Sequence, residues 1–549
     1  MIKFGKAALS FLLAGALSLS LFGCATNGSA EKETSQAGSE AVGADSQSAD
    51  VQSADSQSAD SQRADSQSAD SQSTDVQSAD SQSADSQSAD SQSADSQNEQ
   101  LPEPTITESA SYNGTVTLKY GVSGYEWGPA VDTLVLGLDG NVSSVSADQF
   151  TVTGMTSGNS PSAITVTDAY LSDEYGNKTE EVGPYVAIRL QARYNSLSPF
   201  SYNFNTGKNS WVNSVTFNVA LAQGHSLTVE YSATEHTRYA SLTAGGAMDA
   251  SKRIAPTDRL KLNVGSHTEG NVKLNYAAYE TEAMKEDGVA NPLIIWLHGA
   301  GEGGTDVNIA LLGGDATNLM EDGIQRYFTT GSVKGAYVLA VQTPTVWMDN
   351  GSGTRFYFGQ TDNPVSIYTQ PLMETIKAYV AENGDIDANR IYLVGCSNGG
   401  YMTVNMLLNY GDYFAAALPM CEGYYDSYIS DAQIVSLANM NIWFTHASPD
   451  TTNRPADCTT PTYNRLLAAG ATNVYYSYFE SIVGTDMPGQ SYNAHWSWVY
   501  ALQDQCTGVQ STQSGATLSA TNDGGGTNSV IVRGKAVTMW GWLATRRKT

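Results

Sequence analysis

An α/β fold with a mostly parallel sheet is expected for the C-terminal half of this chain, behind an all-β sandwich and a disordered N-terminal tether. Three observations carry that reading. A polar five-residue repeat ends near Leu101, short runs of period-two alternation continue to about Ala244, and beyond Arg259 continuous apolar runs alternate with longer segments of helical period. With 549 residues, 41% of them hydrophobic, the chain has room for two or three domains. The boundaries expected are 1–23, 24–101, 102–258 and 259–549.

Lys3 and Lys6 precede the apolar run Ala7 to Ala14, the layout of an export signal rather than of a folded helix. The segment closes on Leu21-Phe22-Gly23-Cys24, which resembles the lipobox of bacterial lipoproteins, although Phe22 is bulkier than the usual residue there. That resemblance implies lipid attachment at Cys24 and a protein anchored to the cell membrane on its extracytoplasmic face. From Ala25 the repeat Ser-Gln-Ser-Ala-Asp takes over, with almost no side chain able to build a core, so the segment is expected to stay disordered. Between Ala25 and Gln100 it holds 11 Asp and 4 Glu against one Lys and one Arg, nearly half of the net charge of −28. A coil of this length spans roughly 50 Å and can act as a tether. A net charge of −28 also speaks against nucleic acid as a partner, because phosphate binding needs clustered positive charge.

Residues 102–258 read as short strands: Thr115 to Tyr120, Thr133 to Leu136, Gln149 to Val152, Tyr185 to Leu190 and Ser226 to Tyr231. Alternation with Gly, Asn and Asp between the runs points to an immunoglobulin-like sandwich, though no cysteine pair marks one. Tyr125, Trp127, Tyr202 and Trp211 would form a sugar platform only if exposed; aromatic residues in strands are more often core or cross-strand pairs. The short connection near 245–258 suggests that the sandwich packs on the next domain as a lid or spacer.

In residues 259–549, Pro292 to Leu297 and Ala336 to Val341 are expected as buried strands, and Arg390 to Val394 as a third. The third runs into Gly395-Cys396-Ser397-Asn398-Gly399-Gly400 and then a helical segment to Tyr410. The pattern G-x-S-x-G is weak alone in a chain with 51 glycines, but strand, sharp turn and helix meeting at Ser397 is the context a nucleophile elbow requires. A serine hydroxyl needs a base within hydrogen-bond reach and an acid to orient that base. Four of the six histidines precede Ser397, against the Ser, Asp/Glu, His order of such sites, which leaves His446 and His495. His495 follows a loop and lies 45 residues beyond Asp450, whereas His446 precedes that acid. Asp450 is preferred as acid over Asp457 in the same loop because it sits shortly after its strand. The small residues of His298-Gly299-Ala300-Gly301-Glu302-Gly303-Gly304 suit an oxyanion hole, with N–H donors from Ala300 and Asn398.

Of five cysteines, Cys396, Cys421, Cys458 and Cys506 remain beside Cys24, and none has metal-binding spacing. Three pairings are possible; a Cys458–Cys506 bridge would brace the loops of the acid and the base. No P-loop or dinucleotide fingerprint appears, so no cofactor and no metal are expected.

Trp-Leu-His-Gly-Ala-Gly-Glu-Gly-Gly at 296–304, Gly-Cys-Ser-Asn-Gly-Gly at 395–400, the Asp450 loop and Ala-His-Trp-Ser-Trp at 494–498 together resemble secreted esterases and peptidases of the prolyl-oligopeptidase-like branch. Feruloyl and polyhydroxybutyrate-type esterases lie near that branch, and some members carry an N-terminal immunoglobulin-like domain. The resemblance runs from about Asn263 to Leu543. It implies an α/β-hydrolase that cleaves carboxylic esters through an acyl-enzyme, with acyl groups on plant polysaccharides among the substrates. A peptidase of the same fold and a surface-binding lipoprotein with an inactive hydrolase domain are the alternatives. Thr445-His446-Ala447 replaces the His-Gly pair frequent in relatives, and a Gly/Ser/Thr-rich insert occupies 507–528.

Overall fold

Apolar runs of five to seven residues that alternate with helices can be buried only as central strands of a covered sheet. The computed structural model builds that sheet from eight strands: β1 (Asn263–Glu269), β2 (Val272–Tyr279), β3 (Asn291–Leu297), β4 (Tyr337–Gln342), β5 (Ile386–Cys396), β6 (Ala416–Met420), β7 (Ile442–Ala447) and β8 (Val474–Phe479). Their spatial order is β1-β2-β4-β3-β5-β6-β7-β8, antiparallel at β1-β2 and β2-β4 and parallel elsewhere. Every residue of β3, β4, β6 and β7 is buried. Helices α1 (Thr369–Glu382), α2 (Asn398–Tyr410), α3 (Asp431–Leu437) and α4 (Thr459–Ala468) join successive strands. The two apolar clusters of this domain draw on alternate residues of the same strands, such as Ile294 and Trp296 in one and Leu293 and Ile295 in the other. The sheet is therefore covered on both faces, as its sequence pattern requires. The structure describes residues 103–155, 159–194, 197–203, 205–360 and 364–548. The expected signal segment 1–23, the Cys24 lipid site and the 24–101 tether lie outside the described residues.

All five strands expected before residue 245 are found, four of them longer than expected and the fifth, Leu227–Glu230, shorter by one residue at each end. One sheet contains Thr117–Tyr125, Gly128–Val142 and Gly183–Leu190 in antiparallel register; the other contains Thr243–Ala247, Thr216–Leu221, Phe150–Met155 and Ser162–Ile164. Leu134, Leu136, Val186 and Ile188 from the first meet Phe150, Val152, Phe217 and Val219 from the second in a single core.

From Glu103 onward the chain is one compact unit, and the sandwich is joined to the parallel-sheet domain by a dry and a polar contact. Trp127 and Ala130 are buried among Ile294, Trp296 and Leu319, so the Trp127 ring belongs to the core of the other domain. Tyr125 stacks on it at 5.3 Å. Trp211 donates its indole N–H to Asp306 at 2.7 Å beneath the Arg253 guanidinium, and Lys208 reaches the Pro344 carbonyl at 2.8 Å. These aromatics are thus spent on core and interface.

The polar contact centres on Glu126, which is 3% exposed. Its carboxylate accepts from the N–H of Thr485 (2.6 Å) and Asp486 (3.1 Å), the Thr485 hydroxyl (2.8 Å) and the Tyr492 hydroxyl (3.0 Å). Burial and the adjacent Glu126 push the Asp486 carboxyl up to about 7. Glu126 thus pins the loop that leads to His495. Truncation would take the acceptor from the Thr485 and Asp486 N–H groups and the Thr485 hydroxyl, while the Tyr492 hydroxyl keeps Asp486 Oδ1 at 3.2 Å, so Glu126→Ala should lower unfolding free energy by about 2–4 kcal/mol in urea titrations. An unchanged urea midpoint would show that this contact does not hold the domains together.

Candidate active site

β5 ends at Cys396 and α2 begins at Asn398, leaving a single residue to turn the chain. Ser397 takes φ 55°, ψ −113°, a conformation that L-residues avoid and that persists only where the surroundings enforce it. The enforcement is steric and electrostatic: Ser397 N–H donates to the Met420 carbonyl at 2.9 Å, and its own carbonyl accepts from Tyr401 N–H at 2.9 Å. Glycines make the approach possible. A Cβ on Gly399 would lie 1.9 Å from the Leu297 carbonyl oxygen, one on Gly400 2.6 Å from that of Met420, and one on Gly395 2.5 Å from that of Gly399. Helix α2 therefore rests with its first turn against the ends of β3 and β6, and the serine side chain is lifted off the sheet.

Asp450 follows β7 and His495 follows the loop pinned by Glu126. The Ser397 Oγ to His495 Nε2 distance is 2.7 Å, and His495 Nδ1 lies 2.7 Å from Asp450 Oδ2. Asp450 is buried at 3% exposure, and its Oδ1 also accepts the N–H groups of Thr452 (2.7 Å) and Asn453 (3.1 Å). Burial alone would raise this carboxyl; His495 and His446 beside it outweigh that and hold it well below the usual carboxylate range. The Trp498 ring stands edge-on to the His495 ring at 5.7 Å. A hydroxyl, an imidazole and an ionised acid in this line can pass the serine proton to the imidazole while the acid holds the ring. Asp457 is instead paired with Arg454 at 2.5 Å.

Ala300 opens a 3-10 turn, Ala300–Glu302, and Asn398 opens α2, so the N–H of each has no acceptor within its own helical turn. The loop is held by His298, which is fully buried. Its Nδ1 faces the Gly299 carbonyl at 2.7 Å and its Nε2 accepts from Thr343 N–H at 3.2 Å, which fixes the proton on Nδ1. Burial pushes this imidazole down to about 4, so it stays neutral and serves as a staple. Glu302, in the same loop, is raised to about 7 by burial.

The expected Cys458–Cys506 bridge is not formed; Cys396, Cys421, Cys458 and Cys506 are all free buried thiols. Cys458 stands at the head of α4 near Glu422 and Asp457, whereas Cys506 is packed with Met539 and Trp540 in an apolar cluster. Each loop is braced by its own surroundings. No group of metal-ligating side chains occurs among the described residues. Two participants were not assigned from sequence. His446, considered only as a rival base, bonds the same Asp450 oxygen as His495, with Nε2 to Oδ2 at 3.0 Å; Glu422 lies behind it. The i, i+4 spacing of His446 and Asp450 at a strand end was the available signal.

Residues 121–229 match the esterase Ig-like N-terminal domain family and residues 349–447 match the prolyl oligopeptidase family. The two matches support a serine hydrolase of esterase type, with an Ig-like module ahead of a region similar to the prolyl oligopeptidase family. Among solved structures, a thermostable esterase superposes on the hydrolase with a TM-score of 0.56 at 21% identity, over 71% of this chain and 96% of that one. That likeness extends across both domains and establishes a shared fold. A ferulic acid esterase (12% identity, TM-score 0.31, 44% of this chain and 94% of that one) and a siderophore hydrolase from Aspergillus nidulans (13%, 0.33, 44% and 91%) are more distant. No curated protein matches the hydrolase in sequence.

The elbow gives a steric prediction. Gly399→Ala should displace the start of α2 and lower kcat by at least about 10²-fold, the scale expected for ångström-level misplacement. Activity close to wild type would mean that α2 can move away from β3 without disturbing Ser397.

Proposed function

We propose that the hydrolase cleaves carboxylic esters with Ser397 as nucleophile, His495 as general base and acid, and Asp450 as the acid that orients His495. The observation that carries this reading is the unbroken line of 2.7 Å contacts from Ser397 Oγ through His495 to Asp450. Ser397 Oγ attacks the acyl carbon as its proton passes to His495 Nε2. The carbonyl oxygen becomes negative and is held by the N–H groups of Asn398 and Ala300, each typically worth roughly 3–4 kcal/mol to the transition state. Collapse of the intermediate breaks the bond to the leaving alcohol, which takes the proton from Nε2. Water then enters by the same route in reverse, its proton going to His495 and from there to Ser397 as the carboxylate leaves. Asp450 remains ionised throughout and stabilises the imidazolium.

The motif resemblance supports a finer reading in which the acyl groups are borne by plant polysaccharides, and the sequence from Lys3 to Cys24 supports an enzyme held by lipid on the extracytoplasmic face of the membrane. The open chemistry of the site is tested with p-nitrophenyl acetate and butyrate, feruloyl esters and a peptide p-nitroanilide. Ester hydrolysis is expected to exceed amide hydrolysis. Ser397→Ala and His495→Ala should each reduce kcat by about 10⁶-fold, and Asp450→Asn by about 10⁴-fold, without loss of fold by circular dichroism. Retained activity in Ser397→Ala would exclude this nucleophile. For location, Cys24→Ser should move the protein from the membrane to the soluble fraction of lysed cells; an unchanged distribution would rule out lipid on Cys24 as the anchor.

A further inference from the structure

Asp450 is not the end of the hydrogen-bonded line. Its Oδ2 accepts from His495 Nδ1 on one side and faces His446 Nε2 at 3.0 Å on the other. His446 Nε2 also lies 2.7 Å from the Asn453 carbonyl, which can only accept, so Nε2 carries a hydrogen. The opposite ring nitrogen, Nδ1, is 3.0 Å from Thr459 Oγ1, and Thr459 Oγ1 is 2.7 Å from Glu422 Oε1. Glu422 Oε2 accepts Tyr424 N–H at 2.6 Å. His446, Thr459 and Glu422 are 0%, 0% and 1% exposed, so none can use bulk water to correct a mismatch.

A proton count decides what this arm can be. Thr459 has one hydroxyl hydrogen and faces two atoms, Nδ1 and Oε1. With Glu422 ionised and His446 neutral, both of those atoms are bare lone pairs and one of them stays unpaired in a dry site. One additional proton removes the conflict in either of two places. On Glu422 it gives Oε1–H to Thr459 Oγ1 and Thr459 O–H to Nδ1; on His446 it gives Nδ1–H to Oγ1 and Thr459 O–H to Oε1. A paired shift of two protons through Thr459 converts one arrangement into the other with no change in total charge. Around Glu422 stand His446, Tyr424, the Cys458 thiol, the Tyr476 phenol, and Asp426, whose carboxylate is paired with Arg465 at 2.9 Å. Burial pushes the Glu422 carboxyl up to about 7, against an ordinary 4.5, in keeping with a proton retained up to the neutral range.

Building on the proposed triad, we infer that Glu422 is a positioning residue for it: through Thr459 it keeps a proton on the Glu422–His446 pair and thereby sets the charge that Asp450 presents to His495. The sign follows from the direction of the Glu422 shift. Below about pH 7 the pair holds its proton; as pH rises through that value a negative charge appears two side chains behind Asp450. That charge favours the protonated form of His495, which cannot act as base. Gain of that charge opposes the gain of activity with pH, so the rise is spread over a wider range than a single group gives.

Glu422→Gln keeps the volume and the hydrogen bonds: its Oε1 can accept from Tyr424 N–H and its Nε2 can donate to Thr459, fixing the proton-loaded arrangement permanently. The experiment is the second-order rate of Ser397 labelling by a fluorophosphonate across pH 5 to 9, in full-length wild type and Glu422→Gln, alongside kcat/KM for p-nitrophenyl acetate. The variant is expected to show a single steeper rise, with its midpoint displaced to lower pH on the order of half a unit. Thr459→Val, which cuts the link but retains Glu422, should no longer show the broadened wild-type rise and serves as the test if Glu422→Gln does not fold by circular dichroism. Superimposable pH profiles, or a uniform fall in rate at every pH, would reduce Glu422 to a packing role and overturn the inference while leaving the triad intact. A wild-type enzyme that does not label at all would instead remove the triad reading on which the inference stands.

Discussion

The site depends on one close approach, that of helix α2 to the carboxyl ends of β3 and β6. Three carbonyl oxygens, those of Leu297, Met420 and Gly399 itself, occupy the space where side chains at 399, 400 and 395 would be. Ser397 can hold a positive φ only because the strand behind it and the helix ahead of it are both fixed by these contacts. The same approach brings the first N–H of α2 beside the loop that follows β3. Nucleophile and anion-binding loop are therefore consequences of a single packing arrangement, and the glycines are its steric condition.

The sandwich enters that arrangement through the base rather than the nucleophile. Glu126, in the turn between two sandwich strands, closes hydrogen bonds on Thr485, Asp486 and Tyr492, ahead of His495. Tyr492 also packs in tilted contacts against Tyr194 of the sandwich and Trp496 of its own loop, with ring centroids 5.6 Å apart in each case. A histidine borne on a loop would otherwise sample many positions. A spacer would have needed no buried carboxylate at this point, so the contact is better described as a brace on the catalytic loop.

Much of this was legible in the sequence because it is local. Alternation pointed to the sandwich strands, apolar runs to β3, β4 and β5, the strand–turn–helix context to Ser397, its place after a strand to Asp450, and chain order to His495. What escaped was long-range or depended on exact side-chain direction. Glu126 and Thr485 are 359 residues apart, and nothing in either neighbourhood announces the other. Cys458 and Cys506 lie near the acid and base in sequence, yet one ends in a polar niche and the other in an apolar cluster, so proximity along the chain misdirected the pairing. His446 was weighed as a competitor of His495 when the fold makes the two share one oxygen. A sequence gives the i, i+4 spacing; only the packed strand end shows that both rings converge.

Three buried carboxyls around the elbow show how the fold assigns different states to one chemical group. Burial pushes every one of them toward the neutral form. Asp450 escapes because two backbone N–H groups and two imidazoles converge on its oxygens, enough to favour the charge despite the dry surroundings. Glu422 has one backbone N–H and one hydroxyl whose hydrogen is contested by His446, and its carboxyl rises to about 7. Glu302 rises to about 7 as well, under burial opposed mainly by the Gly299 backbone. Donor number, not residue type or depth, separates the group that must stay charged from those that can hold a proton. A carboxylate that orients a base has to be ionised before the base is called on, so the four donors on Asp450 are as much a part of the proposed chemistry as the serine they ultimately serve.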